Sequence, residues 1–454
     1  MTRPAARIDA GRADGAVDVC RDPAAMREWP ITADDKGFGP VAARGPVTAA
    51  TLAGAGLHDE QLSYPLLTLR ESALTHNIDA MAGYCRRAGV ELAPHGKTTM
   101  APQLAARQLA AGAWGITVAT SAQLQTYYRF GIRRLLLANE LVDAAGIHWL
   151  AGALGSDPDL EVYCWVDSVD GVRLLERALA SSATENLRPL PVLVELGHEG
   201  GRTGTRTPAA AREVGAEAAA APHLSLVGVA GYEGSVGHHR DADTLARVAT
   251  YCRDLRELTA DLARAGLVEQ RPLVSAGGSA FFDVVVTELT RTLPDEQQPP
   301  LVVLRSGAYV THDHGFYADI TPAGRKTAET LDPQDPDELT LWPALELWGP
   351  VLSRPEPGLA LLGVGRRDVS FDEGLPVPLR VRDSAGSTRP AGNMSVTALN
   401  DQHAYLQLPA QTDLGPGDLV CLGISHPCTT FDKWRAIPVV DDHDQLTDVI
   451  HTFF

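Results

Sequence analysis

The sequence has no long apolar run. None of its hydrophobic stretches approaches the ~18 residues that would cross a bilayer, so no membrane span is expected. The opening residues, MTRPAARIDAGRADG, have no apolar segment of the kind a secretory signal needs. They are rich in Gly, Ala, Arg and Asp and are expected to form a disordered tail. Basic charge is scarce: 39 Lys+Arg stand against 57 Asp+Glu, a net charge of −18. That excludes a nucleic-acid footprint and predicts a soluble, self-repelling surface. Six cysteines (Cys20, Cys85, Cys164, Cys252, Cys421 and Cys428) contain no CxxC pair. A disulfide framework is not expected, and a reducing cytoplasm is the expected compartment. No GxGxxG follows the first strand, which counts against an open dinucleotide-binding sheet.

What is present is a rhythm. A short strand, PLLTL at 65–69, precedes ESALTHNIDAMAGYCRRA at 71–88, whose Leu74, Ile78, Met81 and Cys85 recur at helical spacing. Eight apolar, β-branched-rich strands then alternate with helical segments: 90–97, 115–120, 134–140, 161–166, 191–196, 226–232, 272–278 and 301–307. Such runs read as buried parallel strands. Eight units is the count of a closed (β/α)8 barrel of the TIM type, and polar residues gather at the C-terminal ends of many strands, which a barrel turns into one rim. After about residue 325, strands separated by Pro/Gly/Asp turns predict a mainly antiparallel β-domain. The expected class is therefore α/β, a barrel plus a β-domain. The expected divisions are an extension at 1–60, a lead-in at 61–88 whose strand joins the β-domain, a barrel at 89–323, and a β-domain at 324–454.

Chemistry concentrates at the strand ends. In LAPHGKTTM, Lys97 closes an apolar strand on the expected rim, where a desolvated amine becomes a nucleophile for carbonyl chemistry. His95, two residues earlier, would share its face. A snorkelling lysine and a packed histidine are the bland alternatives. SAGGSAFFD (275–283) offers Gly277, Gly278 and Ser279 to a phosphate at a helix start. RSGAY (305–309) adds Ser306, Gly307 and Tyr309 at the next strand end, a common phosphate location in barrels. ELGHEGGRTG (195–204) carries Arg202, suited to an anionic oxygen. In GISHPCTTFDKW, His426 and Cys428 form a zinc-type donor pair, too few for a structural site and suited to an open, catalytic ion. His198, His238, His239, His312 and His314 could join the rim, and spacing selects none of them.

Taken together, PHGKTTM, GAWGITVAT, LLLANELV, the loop ending RTG, GYEGS, SAGGS, LRSGAYVTHD and SHPCTTFDKW resemble one group. They are similar to the D-serine dehydratase and D-threonine aldolase family of pyridoxal-phosphate enzymes, which has the alanine-racemase-like fold. The likeness is strongest to its bacterial amino acid deaminase branch, and it covers roughly residues 60–454. It implies a lyase acting on small D-β-hydroxy amino acids. Lys97 would carry pyridoxal 5'-phosphate, Arg202 would face the cofactor's phenolic oxygen, and Gly277, Gly278 and Ser279 would hold its phosphate. Tyr232 would sit by the ring and Tyr309 near the phosphate, while His95, by its place two residues before Lys97, could tune the amine or shape the pocket of the cofactor. His426 and Cys428 would bind Zn2+, with Mn2+ or another divalent ion as the alternative. A homodimer is implied, with no nucleic-acid or membrane partner. Two departures matter. Many members have a histidine after the Lys-Thr pair, where this chain has Thr99 and Met100. The aldolase branch tends to have Asp at the position of Cys428, so this thiol favours the dehydratase branch and zinc. The expected reaction is dehydration of D-serine or D-threonine to a 2-oxo acid and ammonia. A retro-aldol lyase is the nearest alternative, followed by a racemase and a non-enzymatic cofactor carrier.

Overall fold

The computed structural model describes residues 17–182, 184, 187–268, 271–294, 296, 298–323 and 339–454. The expected disordered tail falls largely on residues 1–16, outside the described residues.

Strand β1 (Leu66–Arg70) does not enter the barrel. Strands β2 (Glu91–Leu92), β3 (Ile116–Val118), β4 (Arg134–Glu140), β5 (Glu161–Val166), β6 (Leu190–Glu195), β7 (Leu224–Ala230), β8 (Leu273–Ala276) and β9 (Leu301–Leu304) form one parallel sheet. Its order runs β2-β9-β8-β7-β6-β5-β4-β3. A parallel bridge from His95 to Thr117 links the two ends, so the sheet curls into a barrel. The fold is alanine-racemase-like.

Alternation along each strand sorts its side chains. On β6, Val192 and Val194 pack outward among the helices, while Leu193 points inward. Ala93, Leu136, Trp165, Leu193, Ala230, Leu273 and Val303 pack together in the interior. The first strand is shorter than the apolar run predicts. Pro94 has no N–H to give a ladder, and the chain turns at once into a 3-10 turn, Gly96–Thr98. Lys97 therefore sits on a turn above the strand end and not on the strand itself.

The second domain is a mostly antiparallel sheet. β1 pairs antiparallel with β10 (Leu345–Glu356) and parallel with strand Ala436–Val440. The chain thus passes through the β-domain before and after the barrel, which ties the two together. Residues 17–62 lie across both. Val19 and Met26 pack with Ala106 and Phe130 of the barrel side, while Ile31, Phe38 and Leu57 pack with Trp348, Ala436 and Leu446 of the β-domain. No helix among the described residues is long and apolar enough to cross a membrane.

Candidate active site

Two cavities meet at the C-terminal mouth of the barrel. The first, of about 300 Å³, is lined by His95, Lys97, Asn139, Trp165, Glu195, Arg202, Tyr232, Gly278 and Arg305. The second, of about 510 Å³, is lined by Ser279, Ala280, His238, Phe316, Tyr317, Glu373, His426 and Cys428. Lys97, Arg202, Tyr232 and Gly278 line both. Both volumes lie in the range of small-molecule sites, ~300–1,000 Å³.

The side chain of Lys97 has exposed surface, and the walls it faces are those of the two cavities. None of the described hydrogen bonds or ion pairs engages its amine. Burial lowers its pKa from the ordinary lysine value; Cys428 opposes that shift, and Arg202 and Arg305 reinforce it. His95 lies beneath. Burial, with Lys97 and Arg305, holds its imidazole well below its ordinary pKa, and its Nδ1 is buried without a partner. Arg202 lies 4.6 Å over the Tyr232 ring. The loop that carries Arg202 is held from within by Arg206, whose guanidinium donates to the carbonyls of Gly201, Arg202, Thr203 and Gly204 at 2.5–3.1 Å.

Arg305, within RSGAY, is a site residue the sequence did not single out. It is 5% exposed, stacks 4.8 Å over Trp165, and donates to Ser275 Oγ and the Gly231 carbonyl. Beside it, Glu140, Asp167 and Glu195 bring carboxylate oxygens within 4.8 Å of one another. Burial, then Glu195 and Asp167, pushes the Glu140 carboxyl up to about 8. Only the alternation of β4, β5 and β6 in a closed ring places these residues together.

The glycines expected near a phosphate have a protein partner in this structure, while Gly278 lines both cavities. The N–H groups of Gly277 and Gly278 do not face a cavity as free donors. They donate to the buried carboxylate of Glu233, at 2.9 and 2.6 Å. Glu233 follows Tyr232 on a turn after β7, a position that sequence spacing does not connect with residue 277. Ser279 and Ala280 line the second cavity, and their backbone N–H groups have no partner among the described residues. Tyr309 lies below this region. It is 2% exposed in the core, its hydroxyl accepts from Gln108, and it lines neither cavity. Ser306 is turned to the Gly277 and Gly278 carbonyls.

His426 and Cys428 arrive from the β-domain. The His426 Nδ1 meets Asp372 Oδ2 at 2.8 Å, and the other Asp372 oxygen accepts from Thr429 Oγ1 at 2.7 Å. Cys428 Sγ lies 3.3 Å from Thr98 Oγ1, next to Lys97. Of the five other histidines, His238 alone lines the second cavity. His312 and His314 are largely buried, which holds both near pKa 4, and His198 meets Ser235 Oγ at 2.8 Å.

The site fits a bound cofactor. The orphaned His95 Nδ1, Trp165 Nε1 and Glu195 Oε2 belong to residues lining the first cavity. A Cβ at Gly278 would come within 3.1 Å of the Tyr232 ring. A divalent ion fits as well: imidazole and thiol are zinc-type donors, Asp372 orients the imidazole from behind, and two protein ligands leave positions open for a reactant.

Comparison with known proteins gives the same frame. Residues 69–290 match the family model "Alanine racemase, N-terminal domain", and residues 344–440 match "Putative serine dehydratase domain". A D-threonine aldolase of Arthrobacter sp is 26% identical over 380 residues, 83% of this chain and 89% of that protein. A D-threo-3-hydroxyaspartate dehydratase of Delftia sp. strain HT23 is 28% identical over 265 residues, 56% of this chain and 62% of that protein. The crystal structure of D-threonine aldolase from Filomicrobium marinum aligns with a TM-score of 0.69 at 25% identity, covering 86% of this chain and 95% of that one.

Proposed function

The chain belongs to the fold-type III pyridoxal-phosphate enzymes that join an alanine-racemase-type barrel to a serine-dehydratase-type domain, and from this premise we propose that it dehydrates D-β-hydroxy amino acids. The products would be a 2-oxo acid and ammonia: pyruvate from D-serine, 2-oxobutanoate from D-threonine. The observation that carries this reading is the convergence of Lys97 with His426 and Cys428 on one cavity wall.

When bound, pyridoxal phosphate supplies an electron sink for charge developing at the substrate Cα. A divalent ion held by His426 and Cys428 supplies a Lewis acid for the β-hydroxyl, a poor leaving group unaided. The remaining work falls to the chain. Lys97, its proton loosened by burial and by Arg202 and Arg305, is the base for the Cα proton. Arg202 and Tyr232 orient the reactants between the two cavities. Asp372 fixes the His426 ring so that its other nitrogen faces the cavity. Overall, the Cα–H and Cβ–O bonds break, water leaves, and the released enamine takes water back as it yields ammonia and the 2-oxo acid.

Zinc is our reading of the ion, because the thiol of Cys428 is a soft ligand. All six cysteines are unpaired, which suits a reducing cytoplasm. We infer a homodimer from the family resemblance, each barrel mouth facing the partner's β-domain.

A retro-aldol cleavage to glycine and an aldehyde is the second reading, favoured by the relation to a D-threonine aldolase over most of both chains. Incubation with D-serine and D-threonine separates the two. Dehydration predicts 2-oxo acid and ammonia in equal amounts. Glycine with acetaldehyde from D-threonine, and no 2-oxo acid, would overturn it.

A further inference from the structure

Two carboxylates adjacent in sequence meet different fates beside the second cavity, and only Glu373 lines it. Asp372 is engaged by His426 and Thr429. Glu373 is exposed, lines the cavity, and pairs with no cation among the described residues. Lys97 and Arg202 line both cavities, and in the lyase reading both are committed to the cofactor. The rest of the second cavity's lining includes Glu373 with Phe316, Tyr317 and Ile320, and the remaining basic side chains are His238 and His426, the latter held by Asp372. Asp313 fixes the aromatic part of this wall. Its carboxylate accepts from the backbone N–H groups of Gly315, Tyr317 and Ala318 at 3.0–3.1 Å.

We infer that Glu373 is a specificity-determining residue that restricts the substrate to D-β-hydroxy amino acids whose side chain carries no negative charge. This rests on the lyase reading above. A carboxylate on Cβ, as in 3-hydroxyaspartate, would enter beside a free carboxylate of the same sign, and like charges crowded in a partly enclosed site repel. A methyl or aryl group would instead lie on Phe316 and Tyr317.

The test compares kcat/KM for D-threonine and for D-threo-3-hydroxyaspartate in the full-length holoenzyme and in Glu373→Gln. The wild type is expected to favour D-threonine by about tenfold or more, roughly the discrimination that ~1.4 kcal/mol gives. The glutamine variant should narrow that ratio about tenfold, through the KM of the diacid, and Glu373→Asp should restore it. A wild type that prefers the diacid, or a ratio unmoved in Glu373→Gln, overturns the inference. Calorimetric titration with D-aspartate and D-2-aminobutyrate, which have no β-hydroxyl to lose, reads the same preference without turnover. D-aspartate should bind more weakly to the wild type, and the gap should close in the variant. Equal affinities in the wild type overturn the inference. Absence of turnover on every hydroxy acid, with the binding gap present, overturns the lyase reading on which the inference rests and leaves only discrimination by Glu373 against acidic ligands.

Discussion

At the scale of single residues, the site is a set of polar groups whose partners are incomplete. His426 is the clearest case of one held in place. Its Nδ1 is engaged by Asp372, 54 residues away in sequence, and the other Asp372 oxygen is taken by Thr429. Carboxylates that orient a ligating imidazole typically contribute ~10–100-fold to metal affinity. Asp372→Asn is therefore expected to weaken metal retention by about that factor, measured by competition with a chelator, while the visible absorption of the bound cofactor persists. Retention equal to wild type would remove Asp372 from the account.

Glu140 carries a different consequence. Its folded pKa is raised from the ordinary 4.5 to about 8 by burial, Glu195 and Asp167. Between those values the folded state holds a proton the unfolded chain has lost. The stability linked to this group is complete below pH 4.5 and falls as pH rises through about 8. Glu140→Gln keeps the neutral form at every pH. Its thermal midpoint should match that of the wild type at the acid end of this window and exceed it at the alkaline end. A gap that does not change with pH would contradict this.

Several cavity-lining residues were legible in the sequence: Lys97, Arg202, His426 and Cys428 lie in polar stretches that follow apolar strands, and Tyr232 came from the family resemblance. Arg305, Trp165 and Glu195 were not, since an inward strand position becomes a site position only when the ring closes. Glu233 was hidden for another reason. A carboxylate that caps two distant N–H groups leaves no local pattern, and the glycines it binds resemble any phosphate turn.

Among the structural elements, the loop between β6 and the helix Pro208–Ala220 does most to present the site. Arg202 could not hold its place over Tyr232 if residues 197–206 moved freely. Two devices fix them. Arg206 gathers four loop carbonyls, and Gly204 turns back against Gly197 at φ +92°, where a Cβ would fall 2.4 Å from the Gly197 nitrogen. Only glycine suits that contact. Displacement of a positioning group by ~1 Å can cost as much as 100-fold in rate. Arg206→Ala is expected to raise KM roughly tenfold or more, with Arg206→Lys only partly restoring it, because one ammonium cannot span the carbonyls that a fork reaches. A KM unaffected by Arg206→Ala would show that the loop is held by other means. The alternation of apolar strands with helical segments makes the barrel legible in the sequence itself. It says less about this loop, because a glycine-rich stretch has no period and its shape depends on one arginine beyond the motif.

Across the whole molecule, one cavity draws on both domains. The barrel supplies Lys97 and Arg202, and the β-domain supplies His426, Cys428 and Glu373. Their relative placement depends on β1, which enters the second sheet before the barrel begins, and on residues 17–62, which pack on both sides. Lys36 in that segment donates to the Arg367 carbonyl and Asp368 Oδ1 at 2.6 and 3.0 Å and lies 4.8 Å over Trp434. Asp368 in turn accepts the Trp434 indole N–H on its carbonyl. The segment thus braces the same stretches, 367–373 and 426–434, that bring His426 and Cys428 to the barrel mouth. Nothing in the loop-like composition of residues 17–62 announced this, since the partners lie more than 300 residues away.

The central claim is that the amine at this shared wall is the one that carries the cofactor. The chain has four lysines, Lys36, Lys97, Lys326 and Lys433, so the claim can be read directly. The full-length protein, loaded with pyridoxal phosphate, is reduced with borohydride to fix any lysine–cofactor bond, digested, and mapped by mass spectrometry. The account predicts one phosphopyridoxyl group per chain, on Lys97, and none in Lys97→Ala. A label on another lysine, or no label on the loaded wild type, would contradict it.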